Sequence, residues 1–138
     1  MARNIFVNLP VRDLDRSVAF FTKLGFSFNA NFTDETATCM IVSETIYVML
    51  LTEDKFRQFT PKQLCDTRTQ TEVLLCLSTE SRAEVDQLVA KAVAAGGSVY
   101  REATDMGFMY AHSFQDLDGH QWELVHMLPA AQAGGEPA

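Results

Sequence analysis

Val11-Arg12-Asp13-Leu14-Asp15-Arg16-Ser17-Val18-Ala19-Phe20-Phe21, followed by Leu24-Gly25-Phe26, carries a strand end, a capped helix and a stop in one short span. Asp13 has the short acceptor side chain that caps a helix, and Asp15 adds negative charge to the first turn. Leu14, Val18, Phe21 and Leu24 recur at helical spacing, so they share one face. Gly25 supplies the left-handed residue that ends the helix. Just upstream, Ile5 to Leu9 is a short apolar run closed by Pro10, which suits a strand ending at a turn.

Downstream the period changes. Phe26, Phe28, Ala30 and Phe32 alternate with Ser27, Asn29 and Asn31, the pattern of a half-buried strand. Thr33-Asp34-Glu35-Thr36 reads as a turn, and 37–42 and 46–51 read as two more strands around the polar break Ser43-Glu44-Thr45. A short helix is expected over 53–59 and a polar connection over 60–71. The order then repeats, beginning with an apolar strand at 72–77. Ser81-Arg82-Ala83-Glu84 forms a capping box for a helix whose Val85, Leu88, Val89 and Ala92 share a face. Gly96-Gly97 stops it, and strands are expected near 98–103, over 108–114 and over 121–127, the last after the turn Asp116-Leu117-Asp118-Gly119. Each half is β-α-β-β-β, an α+β duplication with module one at about 4–52, a connection at 53–71 and module two at about 72–127. About 50 residues with one helix make a poor core alone, so the 138 residues are expected to act as a single domain. The tail 128–138, rich in Ala, Gly and Pro, has little to bury and is expected to be flexible.

Composition narrows the function. Eleven bases against eighteen acids give a net charge of -7, with the bases scattered among acids. Nucleic acid and anionic membrane surfaces both need a clustered basic face, so neither is an expected partner. No apolar run reaches the roughly 18 residues that cross a bilayer, and the start shows no secretory core, so a cytoplasmic location is expected. Cys39, Cys65 and Cys76 are odd in number and lack CxxC spacing, which argues against a disulfide framework or structural zinc; Cys39 and Cys76 read as small core residues. No GxSxG elbow, P-loop or GxGxxG occurs.

The duplicated order, the 11–26 passage and Asp116-Leu117-Asp118-Gly119-His120-Gln121-Trp122-Glu123-Leu124 together resemble the vicinal oxygen chelate superfamily of glyoxalases, bleomycin-resistance proteins and extradiol dioxygenases. Leu117 stands where that family usually has Pro. The resemblance covers about residues 4–127 and implies two βαβββ modules whose curled mixed sheets enclose a cleft, with helices on the outer faces. Strand alternation then turns Phe6 and Asn8, Tyr47 and Met49, and Glu72, Leu74 and Cys76 toward the cleft, with Ser113 inward beside Phe114. Tyr47 and Ser113 offer hydroxyls, and Asn8 an amide, to a polar ligand.

By resemblance, the family's metal positions fall on Phe6, Met49, Glu72 and Glu123. Phe6 has no donor atom and the Met49 thioether is soft, so any divalent metal is left to Glu72 and Glu123 alone, and no metal or other cofactor is assigned. Two carboxylates in an apolar cleft are costly unless they bind a cation, share protons or stand in water, and all three arrangements remain open. His112, His120 and His126 lack the spacing of a preformed ligand set. Two functions follow from the resemblance. One is a glyoxalase-like isomerase or lyase with Glu123 or Glu72 as proton acceptor; the other is a metal-free protein binding a small molecule or drug. Either is expected as a homodimer.

Overall fold

The computed structural model describes residues 3–128. The chain divides between Asp66 and Thr67 into two compact units. The first holds β1 (Ile5–Val11), α1 (Leu14–Leu24), β2 (Ser27–Asn29), β3 (Ala37–Ile41), β4 (Ile46–Thr52) and a short α2 (Glu53–Arg57). The second holds β5 (Leu74–Ser78), α3 (Arg82–Ala94), β6 (Thr104–Asp105), β7 (Met109–Gln115) and β8 (Gln121–Met127). Each forms a four-stranded mixed sheet, ordered β1-β4-β3-β2 in one and β5-β8-β7-β6 in the other. In both, the first and fourth strands pair in parallel, and the other neighbours are antiparallel. This is the α+β arrangement of two βαβββ modules that the duplicated order predicts. The expected flexible tail lies outside the described residues from 129 onward.

The helices form where their ends are satisfied. Asp13 accepts the Arg16 N–H at 3.1 Å, and Gly25 closes α1 with φ 105°. Leu14, Ser17, Phe20, Phe21 and Leu24 are buried, with Phe20 and Phe21 edge to face at 5.0 Å. They share the first unit's core with Leu9, Val11, Met40, Val48 and Leu50, each at most 2% exposed. Burying each such side chain contributes roughly 1.5–3 kcal/mol. Ser81 caps α3 by accepting the Glu84 N–H at 3.0 Å. Val85, Val89 and Ala92 are buried in the second unit together with Phe114, Trp122 and Leu124; the Phe114 and Trp122 rings stack at 6.3 Å. The Tyr110 hydroxyl donates to Asp86 at 2.6 Å and fastens α3 to β7.

Two expected strands are cut short. β2 ends at Asn29 and a 3₁₀ turn takes Ala30–Phe32. The Asn29 side chain accepts the Asn31 N–H at 3.0 Å, and the Thr33 hydroxyl donates to the Asn29 carbonyl at 2.8 Å. These local bonds replace ladder bonds, so the alternating Phe32 ends 63% exposed. In the second unit only Ser98 of the expected 98–103 strand pairs with the sheet, through an isolated bridge to Gln115. The chain rejoins it at Thr104.

The Asp-Leu-Asp-Gly turn is a buried polar knot that sets the start of β8. Asp116 Oδ1 accepts the N–H groups of Asp118 and His120 at 2.9 and 3.0 Å, while Oδ2 accepts the Trp122 indole N–H at 3.0 Å. The Thr67 hydroxyl donates to the Asp118 carbonyl. Gly119 has φ +87°, and a Cβ there would lie 2.3 Å from the Thr67 carbonyl oxygen, so only glycine fits.

Candidate functional site

On the second sheet, register puts Glu123 between Cys76 of β5 and Ser113 of β7. Leu75, Leu77, Phe114, Trp122 and Leu124 take the opposite parity, so Glu123, Cys76 and Ser113 share the other face. A hollow of about 330 Å³ opens there, walled by Met106, Met109 and Met127 and floored by Cys76, Ser113 and Glu123. Arg101 reaches it from the loop that leaves the sheet after Ser98, its guanidinium 3.6 Å from the Glu123 carboxylate.

Ser113 on this face and Tyr100, next to Arg101 in the loop, each carry a hydroxyl. Ser113 Oγ and Tyr100 Oη are buried and meet no hydrogen-bond partner among the described residues. A buried polar group left unsatisfied costs roughly 1–3 kcal/mol, and the two hydroxyls, being neighbours, can relieve part of that for each other. Burial pushes the Tyr100 phenol above its ordinary value; the neighbouring Ser113 hydroxyl draws it back in part, and the Glu123 charge raises it again. Cys76 is also raised, first by partial burial and then by Glu123, so its thiol stays protonated and weakly nucleophilic at neutral pH. Cys76, expected as a small core residue, is therefore an exposed residue of the open face, whereas Cys39 is buried as expected.

The residues singled out from sequence fall into three places. Phe6, Asn8, Tyr47 and Met49 share one face of the first sheet, with Phe6 opposite Tyr47 and Asn8 opposite Met49. Their polar groups are used locally: the Tyr47 hydroxyl donates to the Glu44 carbonyl at 2.8 Å and the Asn8 amide to the Phe6 carbonyl at 3.2 Å. The Phe6 and Tyr47 rings stack at 4.9 Å. Leu74, Ser113 and Glu123 share the open face of the second sheet, Leu74 opposite Gln121 and 54% exposed.

Glu72 stands apart from them. It precedes β5, and its Oε1 lies 3.1 Å from Nδ1 of the buried His120. Glu72 thus belongs with the turn and Glu123 with the hollow. Sequence reasoning missed Tyr100 and Arg101, because an expected regular strand at 98–103 gave them no distinctive position. His112 also borders the hollow, although it stands opposite Leu124 and its Nδ1 accepts the Ser113 N–H at 2.9 Å.

The cation implied by the resemblance does not fit these residues. Register sets Asn8 and Cys39 beside Met49, and Cys76 and Ser113 beside Glu123. Glu123 is the one hard donor with charge in either group of three, and Arg101 already faces it. Among the described residues, no three His, Cys, Asp or Glu side chains come together as a ligand set. Nor is any helix there long and apolar enough to cross a membrane.

Comparison with known proteins now has a geometry to meet. A family profile described as bleomycin resistance protein-like N-terminal matches residues 3–43. No curated protein matches the chain. Among solved structures, a hypothetical protein from S. aureus is 31% identical, the match covering 91% of this chain and 94% of that one with a TM-score of 0.77. A glyoxalase/bleomycin resistance protein/dioxygenase family enzyme from Burkholderia phytofirmans PsJN is 18% identical, with 92% and 100% covered and a TM-score of 0.75. The fosfomycin resistance protein FosX from Listeria monocytogenes is 16% identical, with 94% and 97% covered and a TM-score of 0.69. The last two share the fold, and the first adds sequence kinship along nearly the whole length. With paired βαβββ units, a bleomycin-resistance-like N-terminal segment and these relatives, the chain belongs to the vicinal oxygen chelate superfamily, the glyoxalase, bleomycin-resistance and dioxygenase group.

Proposed function

We propose that the protein binds a small amphipathic molecule in the hollow of its second sheet, in the manner of a bleomycin-resistance protein. The observation that supports this is the composition of one cavity: methionine walls, a carboxylate, and the buried Ser113 hydroxyl. Pockets of this kind, largely apolar with a few convergent polar groups, are the usual shape of a small-molecule site. Thioethers are polarizable and adjust to irregular or aromatic ligands. The net charge of -7 and Glu123 disfavour an anionic ligand. Assembly as a homodimer belongs to the same proposal by family resemblance, and a single-chain mass in sedimentation would contradict it.

The test is titration of full-length protein carrying ¹³C-methyl methionine with a library of neutral and cationic small molecules. Ligands are expected to shift the methyls of Met106, Met109 and Met127 while leaving Met40, buried in the first unit's core, in place. A library that moves none of the three would end the proposal.

A second reading, a glyoxalase-like isomerase or lyase, rests on Glu123 standing directly across from the Ser113 hydroxyl. A proton acceptor next to a hydroxyl donor is the minimum for removing a proton α to a carbonyl while its oxygen gains charge. That activity would appear as protein-catalysed exchange of α-protons for deuterium in small carbonyl compounds, abolished by Glu123→Gln. Binding without exchange in such a panel leaves sequestration as the function.

A further inference from the structure

We infer that Met106, Met109 and Met127 form a three-thioether site for a soft monovalent metal ion of the copper(I) class. The inference goes beyond small-molecule binding and does not rest on it, because it stands on three sulfur donors brought into one row.

Strand register builds that row. Met109 of β7 is paired directly with Met127 of β8. β6 and β7 pair Thr104 with Ala111 and Asp105 with Tyr110, and one step further the Met106 N–H donates to the Met109 carbonyl at 2.8 Å across the turn Gly107-Phe108. Directly opposed residues point to the same side of a sheet, so the three side chains leave one face side by side, with Cβ atoms of neighbours roughly 4.5–5.5 Å apart. The turn is braced, since Gly107 takes φ +82° and Asp105 Oδ1 accepts its N–H at 2.9 Å. Unbranched, flexible stems let the outer two sulfurs swing over the central one.

Core packing does not account for these side chains. Met40 is fully buried, whereas Met106 is 49% exposed and Met109 and Met127 are half-buried. A thioether is a neutral, soft donor that selects copper(I) over hard divalent cations. Charge agrees with a cation, since Glu102 and Glu123 line the same hollow against Arg101. The Cys76 thiol also lines the hollow but is no fourth ligand: it stands opposite Glu123, four residues along β8 from Met127, roughly 13 Å at the usual strand rise. Three neutral sulfurs without a thiolate, one of them open to solvent, make a site whose ion exchanges readily.

The experiment titrates full-length protein carrying ¹³C-methyl methionine with silver nitrate in chloride-free buffer, silver(I) being a redox-stable probe of copper(I) chemistry. A Cys65→Ser, Cys76→Ser background removes the two more accessible thiols. Equimolar silver is expected to shift the methyls of Met106, Met109 and Met127 together and to leave Met40 and Met49 in place; equimolar zinc(II) is expected to shift none. Losing a ligand's outer support alone costs roughly 10–100-fold in metal affinity, so losing a ligand through Met109→Leu should weaken silver binding at least about tenfold. Met106→Leu, at an exposed position, should do the same without disturbing the core. Leucine keeps the wall apolar, so failure of silver to bind leaves the small-molecule proposal standing. Three methyls that move at separate silver concentrations, a Met49 methyl that moves alongside them, or unchanged affinity in both leucine variants would overturn the site.

Discussion

The two sheets share strand order and parallel centre, yet they place opposite chemistry at the same point. Met49 stands between Asn8 and Cys39 in the first; Glu123 stands between Cys76 and Ser113 in the second. Around Met49 the polar groups are consumed locally, Tyr47 by the Glu44 carbonyl and Asn8 by the Phe6 carbonyl. Around Glu123 the Ser113 hydroxyl is left over and an arginine leans in. The faces packed on the helices do not diverge in this way, since both are built from large apolar side chains. A duplicated fold can therefore keep one copy as an apolar wall and confine its chemistry to the other, because the helix side carries stability and the open side is free to vary.

The turns differ in the same direction, and glycine is where the difference is largest. Gly119→Ala in the second unit would combine a left-handed backbone with a Cβ 2.3 Å from the Thr67 carbonyl oxygen. We expect a loss of about 4 kcal/mol in denaturant unfolding. Gly25→Ala in the first unit has φ +105° but nothing within 4 Å, so only the backbone term remains, about 1 kcal/mol. Equal losses for the two would mean that the Thr67 contact is soft and that the turn is no tighter than a helix stop.

The two long helices and β8 were legible in the sequence because each is set by local features: Asp13 and Gly25 bound α1, Ser81 bounds α3, and β8 falls at its expected residues, whereas β1 runs through Pro10 to Val11 and β5 starts at Leu74 rather than Glu72. Where side chains outbid the sheet for backbone groups, period failed, as at Asn29 and Thr33, whose local bonds end β2 early. The acidic turn was legible as a motif but not as a knot. Nothing in Asp116-Leu117-Asp118-Gly119 says that the first acid takes the Trp122 indole, which depends on how β8 folds back. The candidate site was half legible. Alternation along β7 and β8 put Ser113 and Glu123 on one face. Tyr100 and Arg101 come from an irregular segment with no period to read, and Glu72 was drawn away by His120, a partner 48 residues distant in the chain.

A smaller effect separates the two acids that organise turns. Asp116 is 7% exposed and serves three buried donors. Asp116→Asn sets an NH₂ against one of them, either the indole N–H or the paired amides, and should cost about 2 kcal/mol. The cost stays below the Gly119 figure because burial raises the Asp116 carboxyl, and the uncharged amide relieves that desolvation. Trp122, the single tryptophan, reports the change directly by its fluorescence. An unchanged denaturation midpoint with unchanged emission would show the indole bond to be dispensable.

Asp34 does the same job in the open and gives the smallest effect, visible chiefly in its pH dependence. Its Oδ1 accepts from the Thr36 hydroxyl and N–H, both at 2.7 Å, and from the Ala37 N–H at 3.0 Å. The Thr36 hydroxyl first, then the Thr36 amide, hold its carboxyl below the ordinary 3.8. A lowered folded value means that the stabilising contribution is present above the unfolded value and is lost as pH falls from about 3.8 through the folded value. Asp34→Ala should therefore be slightly less stable than the parent at pH 7 and nearly equal to it once the pH lies below that window. Asp105, lowered by the Gly107 amide and Arg82, gives the matching control in the second unit, where Asp105→Ala should converge with the parent in the same direction. A gap between Asp34→Ala and parent that stays constant from pH 7 to pH 3 would show that the turn is held by backbone geometry, with the carboxylate a bystander.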